Sequence, residues 1–290
     1  MRDPFRLDGP TVVSFSGGRT SALMLRRILD AHNGQLPPDA FVLFRNTGKE
    51  REETLAFVDE CARQWSVPIV WLERAPGAHP RGMPPCERFC VVTFETASRA
   101  GEPFDSVIDD RRYLPNVATR FCTEELKLKP AKNFMLAAGY QTWTSVVGLR
   151  ADEPRRLAKI HSPERAKTRE EVRTPLATAG VGLRDVTSFW GGQSFDLGLK
   201  SYEGNCDLCF LKGTLKRLRI IDEAPARADW WIAAEARIES LTGQSAARFR
   251  RNSPPYSSLA AFSRDQRRLP MLLEDDPTDM EACGGAGCTD

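Results

Sequence analysis

The sequence predicts an α/β fold in which helices cover both faces of a parallel sheet. Short apolar runs recur along the chain, and the stretches between them carry apolar residues at helical spacing. Such alternation is typical of parallel sheets, whose neighbouring strands are joined by a crossover helix. The chain has 290 residues, of which 41% are hydrophobic, so it can bury a full core. One large domain, alone or with a smaller appendage, is therefore expected.

The predicted elements follow one another in the first half of the chain. The predicted strands begin at Thr11 and then span residues 39–45, 68–72 and 142–149. One helix is predicted from Met24, Leu25, Ile28 and Leu29, and another over 52–65. The alternation of predicted strands and helices ends near residues 195–204. We therefore predict an α/β domain over residues 1–200 and a small helical, cysteine-containing subdomain over residues 201–290.

The first strand stops at a turn rich in serine and glycine, and a helix follows at once. Adjacent glycines let the main chain approach an anion closely, and the N–H groups and dipole of the helix N-terminus favour negative charge. A Gly-Gly pair can also be a simple strand-to-helix turn, but such a turn does not call for several hydroxyl donors. The residues predicted here to bind a phosphate group are Ser14, Ser16, Gly17, Gly18, Arg19, Thr20 and Ser21.

This turn lacks the lysine of a Walker A loop and does not have the Gly-x-Gly-x-x-Gly spacing. Its Ser-Gly-Gly-x-x-Ser spacing resembles the PP-loop of the ATP-pyrophosphatase superfamily, with Thr20 in place of the acidic residue. Further segments resemble the phosphoadenosine-phosphosulfate (PAPS) reductase branch of that superfamily. These segments are residues 46–54 (NTGKEREET), 121–130 (FCTEELKLKP), 148–155 (GLRADEPR) and 174–190, which begins TPL and contains DVTSFW.

The resemblance implies a Rossmann-like sheet of the adenine nucleotide alpha hydrolase type. It also implies that further residues bind the nucleotide, namely Asn46, Thr47, Gly48, Gly148, Arg150 and Arg155. Lys127, Lys129, Arg150 and Arg155 are cations that could surround a phosphate or sulfate ester, although a solvated surface is the alternative for each. Lys127 and Arg150 are the cations predicted to act in catalysis.

The cysteines suggest a second centre. The sequence Cys206-Asp207-Leu208-Cys209 is a tight two-thiolate knuckle of the kind that holds zinc or an iron–sulfur cluster, and a redox pair is the alternative. The cluster-bearing adenylyl-sulfate reductases that the chain resembles have a Cys-Cys pair upstream of such a knuckle. Cys122 matches one member of that pair, and Phe121 stands at the other. The predicted metal ligands are Cys122, Cys206, Cys209 and Cys288, for a 4Fe–4S cluster or, alternatively, zinc.

The tail residues 281–284 (EACG) faintly resemble the Glu-Cys-Gly-Leu-His element of PAPS reductases, whose cysteine attacks the substrate. Cys283 is therefore a candidate nucleophile, whereas Cys288 is preferred as the fourth metal ligand. A tail without either role is the third alternative, and the fourth ligand can also be absent, which leaves one iron open to bind sulfur or substrate.

The net charge and the cysteine content limit which partners and which cellular location are expected. The formal net charge is only +2, so no field of one sign points to duplex DNA or an anionic membrane as an obligatory partner. No leader and no membrane-spanning run is recognised, so a cytoplasmic location is expected. Eight cysteines in a reducing compartment are more consistent with ligands or reactive thiols than with disulfides.

Three functions remain open. The first is ATP- and Mg²⁺-dependent adenylation of a nucleobase or nucleic-acid acceptor, followed by sulfur transfer from a sulfur donor. The second is reduction of PAPS or adenylyl sulfate (APS) by a thiolate, completed by a thioredoxin-like reductant. The third is a non-enzymatic nucleotide- or nucleic-acid-binding module with structural zinc. In each case the nucleotide is an adenine nucleotide, and a homodimer is left open.

Overall fold

The computed structural model describes residues 3–161, 169–243 and 247–266, and the chain is built on a six-stranded sheet with the order β4-β3-β2-β1-β5-β6. All neighbouring strands are parallel except β3 and β4, which are antiparallel. The α/β class is confirmed. The strands are β1 (Thr11–Phe15), β2 (Ala40–Arg45), β3 (Ile69–Arg74), β4 (Phe89–Val92), β5 (Trp143–Val147) and β6 (Glu170–Arg173).

Helices connect and cover these strands. The longer ones are α1 (Arg19–Ala31), α2 (Glu52–Gln64), α3 (Glu102–Arg111), α5 (Lys129–Ala137), α8 (Leu183–Gly191), α9 (Thr214–Glu223), α10 (Asp229–Thr242) and α11 (Tyr256–Gln266). The shorter ones are α4 (Phe121–Thr123), α6 (Pro154–Ile160) and α7 (Pro175–Thr178). A π-helical segment, Glu124–Leu128, joins α4 to α5 and carries Lys127. No helix in the described residues is long and apolar enough to cross a membrane.

The two faces of the sheet carry separate hydrophobic clusters because successive strand residues point to opposite sides. Val13 and Phe44 face the cluster that includes residues of α1, α2 and α8. Val12 and Leu43 face the other cluster, which Met135 of α5 completes. Helices therefore cover both faces, as the sequence predicted.

The strand order reverses next to β1, because β2 pairs with one edge of β1 and β5 with the other. The chain leaves β1, β2 and β5 at the same end of the sheet, since all three are parallel. In open α/β sheets, a crevice forms at the carboxyl ends of the strands where the order reverses, and ligands bind there. The turn after β1 and the segment after β5 flank this crevice.

A third hydrophobic cluster lies beyond the sheet and contains residues of α9, α10 and α11. The same cluster includes Phe104 and Ile108 of α3 together with Phe121 and Leu126. The helical C-terminal part thus shares its core with two segments from the first 130 residues. The division at residue 200 stays a prediction.

Two strands were not predicted from the sequence. β4 is antiparallel to β3 and follows it through a connection without a crossover helix, an arrangement that antiparallel strands permit. β6 has the sequence EEVR, so it lacks the apolar run used to recognise the other strands. Both are four-residue strands at the edges of the sheet.

Candidate nucleotide and thiol site

The turn after β1 is held in its shape by Gly17. Gly17 has a φ of +80°, which favours glycine, and a Cβ atom added there would lie 2.6 Å from the Thr54 side chain of α2. Gly18 is the N-cap of α1 and has extended backbone. The backbone therefore turns directly from β1 into the N-terminus of α1, with no side chain at either glycine.

The hydroxyl groups of this turn are organised around Ser21. Its Oγ accepts a hydrogen bond from the Ser16 amide at 3.2 Å, donates to the Gly18 carbonyl at 2.9 Å and lies 2.9 Å from Ser16 Oγ. Thr20 and Ser21 are buried. Ser14 lies further back in β1, where its Oγ accepts a hydrogen bond from the Arg45 guanidinium at 3.0 Å.

The segment after β5 lies against this turn. A Cβ atom added to Gly148 would be 3.0 Å from Ser21 Cα, so glycine is what lets the two backbones come this close. Arg150 follows two residues later and is largely buried. Its guanidinium donates to Asp152 at 2.9 Å through Nε and to Thr20 Oγ1 at 3.3 Å through Nη1. The structure thus places Arg150 beside the first turn of α1.

The predicted residues after β2 form a buried and tightly bonded loop. Asn46 Nδ2 donates to Glu73 at 2.6 Å and to the Ser98 carbonyl at 2.8 Å. The amide and hydroxyl of Thr47 both donate to one carboxylate oxygen of Glu50, each at 2.7 Å. Gly48 has a φ of +76°. Asn46 and Thr47 thus hold this loop in place at the edge of the crevice.

The other predicted cations lie in three different surroundings. The Arg19 guanidinium pairs with Asp196, and this hydrogen bond holds the pKa of Asp196 below its usual range. Lys127 Nζ lies 3.4 Å from Glu50 Oε1 and both side chains are buried. Arg155 lies in α6 and is exposed.

The thiol knuckle packs directly onto these loops. Asn205 Nδ2 donates to the Ser16 carbonyl at 2.9 Å, which ties the knuckle to the turn after β1. The Asp207 amide donates to the Lys49 carbonyl at 2.9 Å, and the Arg51 amide donates to the Asn205 carbonyl at 2.7 Å. These bonds form a short antiparallel bridge between the knuckle and the loop after β2.

Cys206 and Cys209 form a hydrogen-bonded pair of thiols. The bond from Cys206 lowers the pKa of Cys209 against the opposing effect of burial, and the ammonium groups of Lys212 and Lys127 lower it further. The same bond raises the pKa of Cys206. Cys209 is therefore the member of the pair that more readily becomes a thiolate.

Buried ion pairs hold the knuckle in place. Lys49 Nζ lies 3.1 Å from Asp207 Oδ2 and 5.0 Å from the centre of the Trp230 ring. Arg51 pairs with Glu203, and Arg227 lies 3.3 Å from the same carboxylate oxygen. The loop after β2 and the start of the C-terminal part are thus joined by charged as well as main-chain contacts.

The predicted metal ligands are only partly brought together. Cys122 is partly buried and packs against the same hydrophobic cluster as Cys206. Within the described ranges, however, no group of three or more His, Cys, Asp or Glu side chains is arranged to hold a metal ion. Cys283 and Cys288 lie outside the described residues. The described part does not itself provide the four donors of a typical 4Fe–4S or structural zinc site, so the metal assignment stays a prediction.

Sequence reasoning missed several residues of this site. Asn205, Lys49 and Glu50 connect the knuckle to the loops, and although Lys49 and Glu50 lie in the NTGKEREET segment, no contact with the knuckle was predicted for them. The π-helical segment that carries Lys127 was also missed, although π-helical turns are frequent at functional sites. The one available signal was position: Lys49 and Glu50 follow a predicted strand at its carboxyl end.

Fold and site together define an α/β protein with a glycine turn into a helix N-terminus at the reversal point of its sheet and a thiol pair beside it. No family model matches the chain. The chain is 32% identical over 213 residues to the uncharacterized nin region protein ORF290 of Escherichia phage lambda, and this match covers 71% of the chain and 67% of that protein. The chain belongs to the same family as that phage protein.

Two solved structures resemble the chain more distantly. One is a phosphoadenylyl-sulfate (PAPS) reductase from Candida auris in a phosphate complex, with a TM-score of 0.36, 14% identity, and coverage of 63% of this chain and 72% of that one. The other is the U34-tRNA thiolase NcsA from Methanococcus maripaludis with its 4Fe–4S cluster, with a TM-score of 0.40, 12% identity, and coverage of 98% and 80%. Both TM-scores are below 0.5, so the function proposed below rests on this chain's own residues.

Proposed function

We propose that this chain is an enzyme that binds ATP at the crevice between β1 and β5 and uses it to exchange oxygen for sulfur on a nucleobase-like acceptor. The observation that carries the proposal is the hydrogen bond from Asn205 to the Ser16 carbonyl. It places a thiol pair next to a turn suited to phosphate. Sulfur chemistry and nucleotide binding would then share one site.

The turn after β1 supports the nucleotide part of the proposal. Its two glycines leave the backbone open to a close approach by phosphate, and the N–H groups of the first turn of α1 favour negative charge. Mg²⁺ would accompany ATP and neutralise part of the triphosphate charge. Arg150, which is held by Asp152 beside Thr20, would bind a phosphate oxygen through its planar guanidinium.

The reaction would take place in two steps. The carbonyl oxygen of the acceptor attacks the α-phosphorus of ATP, the bond to the bridging oxygen of the β-phosphate breaks, and pyrophosphate leaves. Hydrosulfide then adds to the adenylated carbon, AMP departs with the original oxygen, and loss of the remaining proton gives the thiocarbonyl. Arg150 would stabilise the charge that builds up on the α-phosphate, and no electron transfer is required.

Lys127 would act on the sulfur that enters this site. Lys127 lies near Cys209 and lowers its pKa, so the positive charge of Lys127 would also favour an approaching hydrosulfide anion. Cys122, Cys206, Cys209 and Cys288 remain the proposed ligands of a cluster or of zinc. No step of the reaction is assigned to such a centre.

A second candidate function is sulfonucleotide reduction, which is supported by the position of the Cys206–Cys209 pair beside the turn after β1 and by the lowered pKa of Cys209. The Cys209 thiolate would attack the sulfur of adenylyl sulfate or PAPS and break its S–O bond to the nucleotide. Cys206 would then attack Cys209 Sγ, which releases sulfite and leaves a Cys206–Cys209 disulfide. A thioredoxin-like dithiol would reduce this disulfide, so that the two electrons taken up by the substrate come from that reductant.

The test compares the two reactions on the full chain, purified without oxygen. ATP with Mg²⁺ and hydrosulfide should yield pyrophosphate when a nucleobase acceptor is present, whereas adenylyl sulfate with a dithiol should yield sulfite only if the second function holds. Arg150→Gln should weaken ATP binding about 10- to 100-fold, the loss of one or two charge-assisted hydrogen bonds. Arg184→Gln, an exposed change on α8, is the matched control. A wild-type chain that binds no adenine nucleotide would overturn both functions.

A further inference from the structure

A cavity of about 260 Å³ opens beside the turn after β1, between the start of α1, helix α8 and residues 197–205. Arg19, Thr20 and Arg150 line it, and all three also belong to the candidate phosphate site. Neither the sequence motifs nor the reaction proposed above gives this cavity a role. A nucleotide bound at the turn after β1 would have its phosphate groups next to this cavity.

The walls of the cavity are apolar. Leu183 and Val186 line it from α8, and Leu197 and Leu199 line it from the segment that follows. Val186, Leu197 and Leu199 are buried, whereas Leu183 is 44% exposed although it is a large apolar residue. Such a set of side chains suits the two faces of a flat, weakly polar ring.

The rim of the cavity is polar and partly cationic. Lys200, which pairs with Glu223, and Arg19, which pairs with Asp196, are found there. Glu203, Ser201 and Asn205 add hydrogen-bonding side chains. The Arg150 guanidinium uses Nε and Nη1 in its bonds to Asp152 and Thr20, and among the described residues Nη2 makes no hydrogen bond. A ligand in the cavity would thus find apolar faces, polar groups along its edge, and positive charge where a phosphate would lie.

We infer that this cavity holds the base of the acceptor, a heteroaromatic ring that belongs to a nucleotide. This inference rests on the proposed function and adds the class of acceptor to it. The volume lies just below the range of roughly 300–1,000 Å³ that drug-sized ligands occupy, so the cavity suits one base rather than a whole nucleotide. Arg150 would lie between that base and the phosphate groups of the bound ATP, because it lines the cavity and also donates to Thr20 in the first turn of α1.

Thr187 is a suitable position for a variant that tests this inference, because it lines the cavity from α8 and is exposed. Thr187→Trp would fill part of the space that the base needs. The neighbouring residue, Ser188, is also exposed but does not line the cavity, so Ser188→Trp is the matched control. Leu183→Trp is a second filling variant, at the exposed first residue of α8, in case Thr187→Trp does not fold.

The experiment measures binding by calorimetry to the full chain saturated with α,β-methylene-ATP, an analogue that cannot release pyrophosphate. The probes are the 5′-monophosphates of uridine, cytidine and guanosine, and an eight-residue oligouridylate. At least one probe should bind the wild type. The filling variant should weaken this binding at least tenfold, whereas Ser188→Trp should change it less than twofold. Neither variant should change the affinity for the ATP analogue by more than twofold.

The outcomes distinguish a wrong acceptor pocket from a wrong nucleotide site. If the wild type binds the ATP analogue but no base probe, or if the filling variant and Ser188→Trp behave alike, the acceptor pocket is wrong while the nucleotide site stands. Displacement of the probe by the ATP analogue would also overturn it, because the cavity would then hold the adenosine of ATP. Failure to bind the ATP analogue overturns the proposed function itself. Tighter binding of the oligouridylate than of any monophosphate identifies a nucleic-acid source of the base, and the reverse identifies a free nucleotide.

Discussion

Replacing Gly17 by alanine tests the shape of the turn after β1. Gly17 has a φ of +80°, where an L-residue with a Cβ costs roughly 1–2 kcal/mol. The new methyl group would also lie 2.6 Å from Thr54 Cγ2, 3.1 Å from Val58 Cγ2 and 3.2 Å from the Phe44 ring. Overpacking of this kind costs about 1–3 kcal/mol. We therefore expect Gly17→Ala to lower the free energy of unfolding by about 2–5 kcal/mol.

Gly18→Ala is the matched control for this experiment. Gly18 has a φ of −101° and a ψ of 161°, which any residue adopts, so no backbone strain is expected. Its loss as N-cap should lower the free energy of unfolding by about 1 kcal/mol or less. Gly18→Ala should instead weaken ATP binding, because its methyl group stands where the backbone would approach the phosphate.

Urea denaturation followed by circular dichroism measures both variants against the wild type at the same pH and salt concentration. The loss for Gly17→Ala is large compared with the roughly 5–15 kcal/mol that typical domains have, so it should be evident as a shift in the midpoint. If the two variants lose the same free energy, Gly17 does not have the positive φ on which this reasoning depends. A loss below 1 kcal/mol for Gly17→Ala would lead to the same conclusion.

Three further predictions concern the thiol knuckle and its ion pairs. Lys49→Met should lower the free energy of unfolding by about 3–5 kcal/mol in urea denaturation, because it leaves the Asp207 carboxylate buried without its partner; adding Asp207→Asn should restore part of this loss. Burial alone would raise the pKa of Glu203, but the hydrogen bond and charge of Arg51, together with hydrogen bonds from the Lys200 backbone and from Arg227, outweigh it and the pKa is lowered. The stabilisation from Glu203 is thus present above the unfolded pKa of about 4.3 and lost as the pH falls through the folded pKa, so Glu203→Gln should reduce the loss of stability between pH 7 and pH 3; an unchanged pH dependence would contradict this. Cys206→Ser should remove iron or zinc from anaerobically purified protein and leave ATP binding largely intact, whereas Gly18→Val should do the reverse; metal content unchanged in Cys206→Ser would rule out the ligand assignment.

The sequence predicted the parts of the fold that local patterns encode. β1 and α1 could be recognised because an apolar run, two glycines and a helical apolar face follow one another within about 20 residues. Arg150 could be placed at the carboxyl end of a strand because β5 is apolar and directly precedes it. Each of these inferences needed only neighbours in the sequence.

The rest depends on contacts between distant segments. β6 carries the sequence EEVR and is a strand only because β5 offers a parallel partner. Asn205 bonds to Ser16 across 189 positions, and Lys49 pairs with Asp207 across a similar distance in the sequence. No periodicity or motif records such pairings, because each residue type is common on protein surfaces. The sequence therefore identified the turn and the thiols as candidate site residues, but it did not predict that they lie side by side.

The contacts between the thiol knuckle and the loops after β1 and β2 limit how the site can open. The knuckle is joined to the loop after β2 by two main-chain hydrogen bonds and to the turn after β1 by Asn205. The buried pairs Lys49–Asp207 and Arg51–Glu203 cross the same boundary. Moving the C-terminal part away from the sheet would break these contacts together, and each charge that stayed buried without its partner would cost several kcal/mol. A hinge at this boundary is therefore disfavoured, and access to the phosphate site would come more easily from the side of the cavity beside α8, where Leu183 and Thr187 are already exposed.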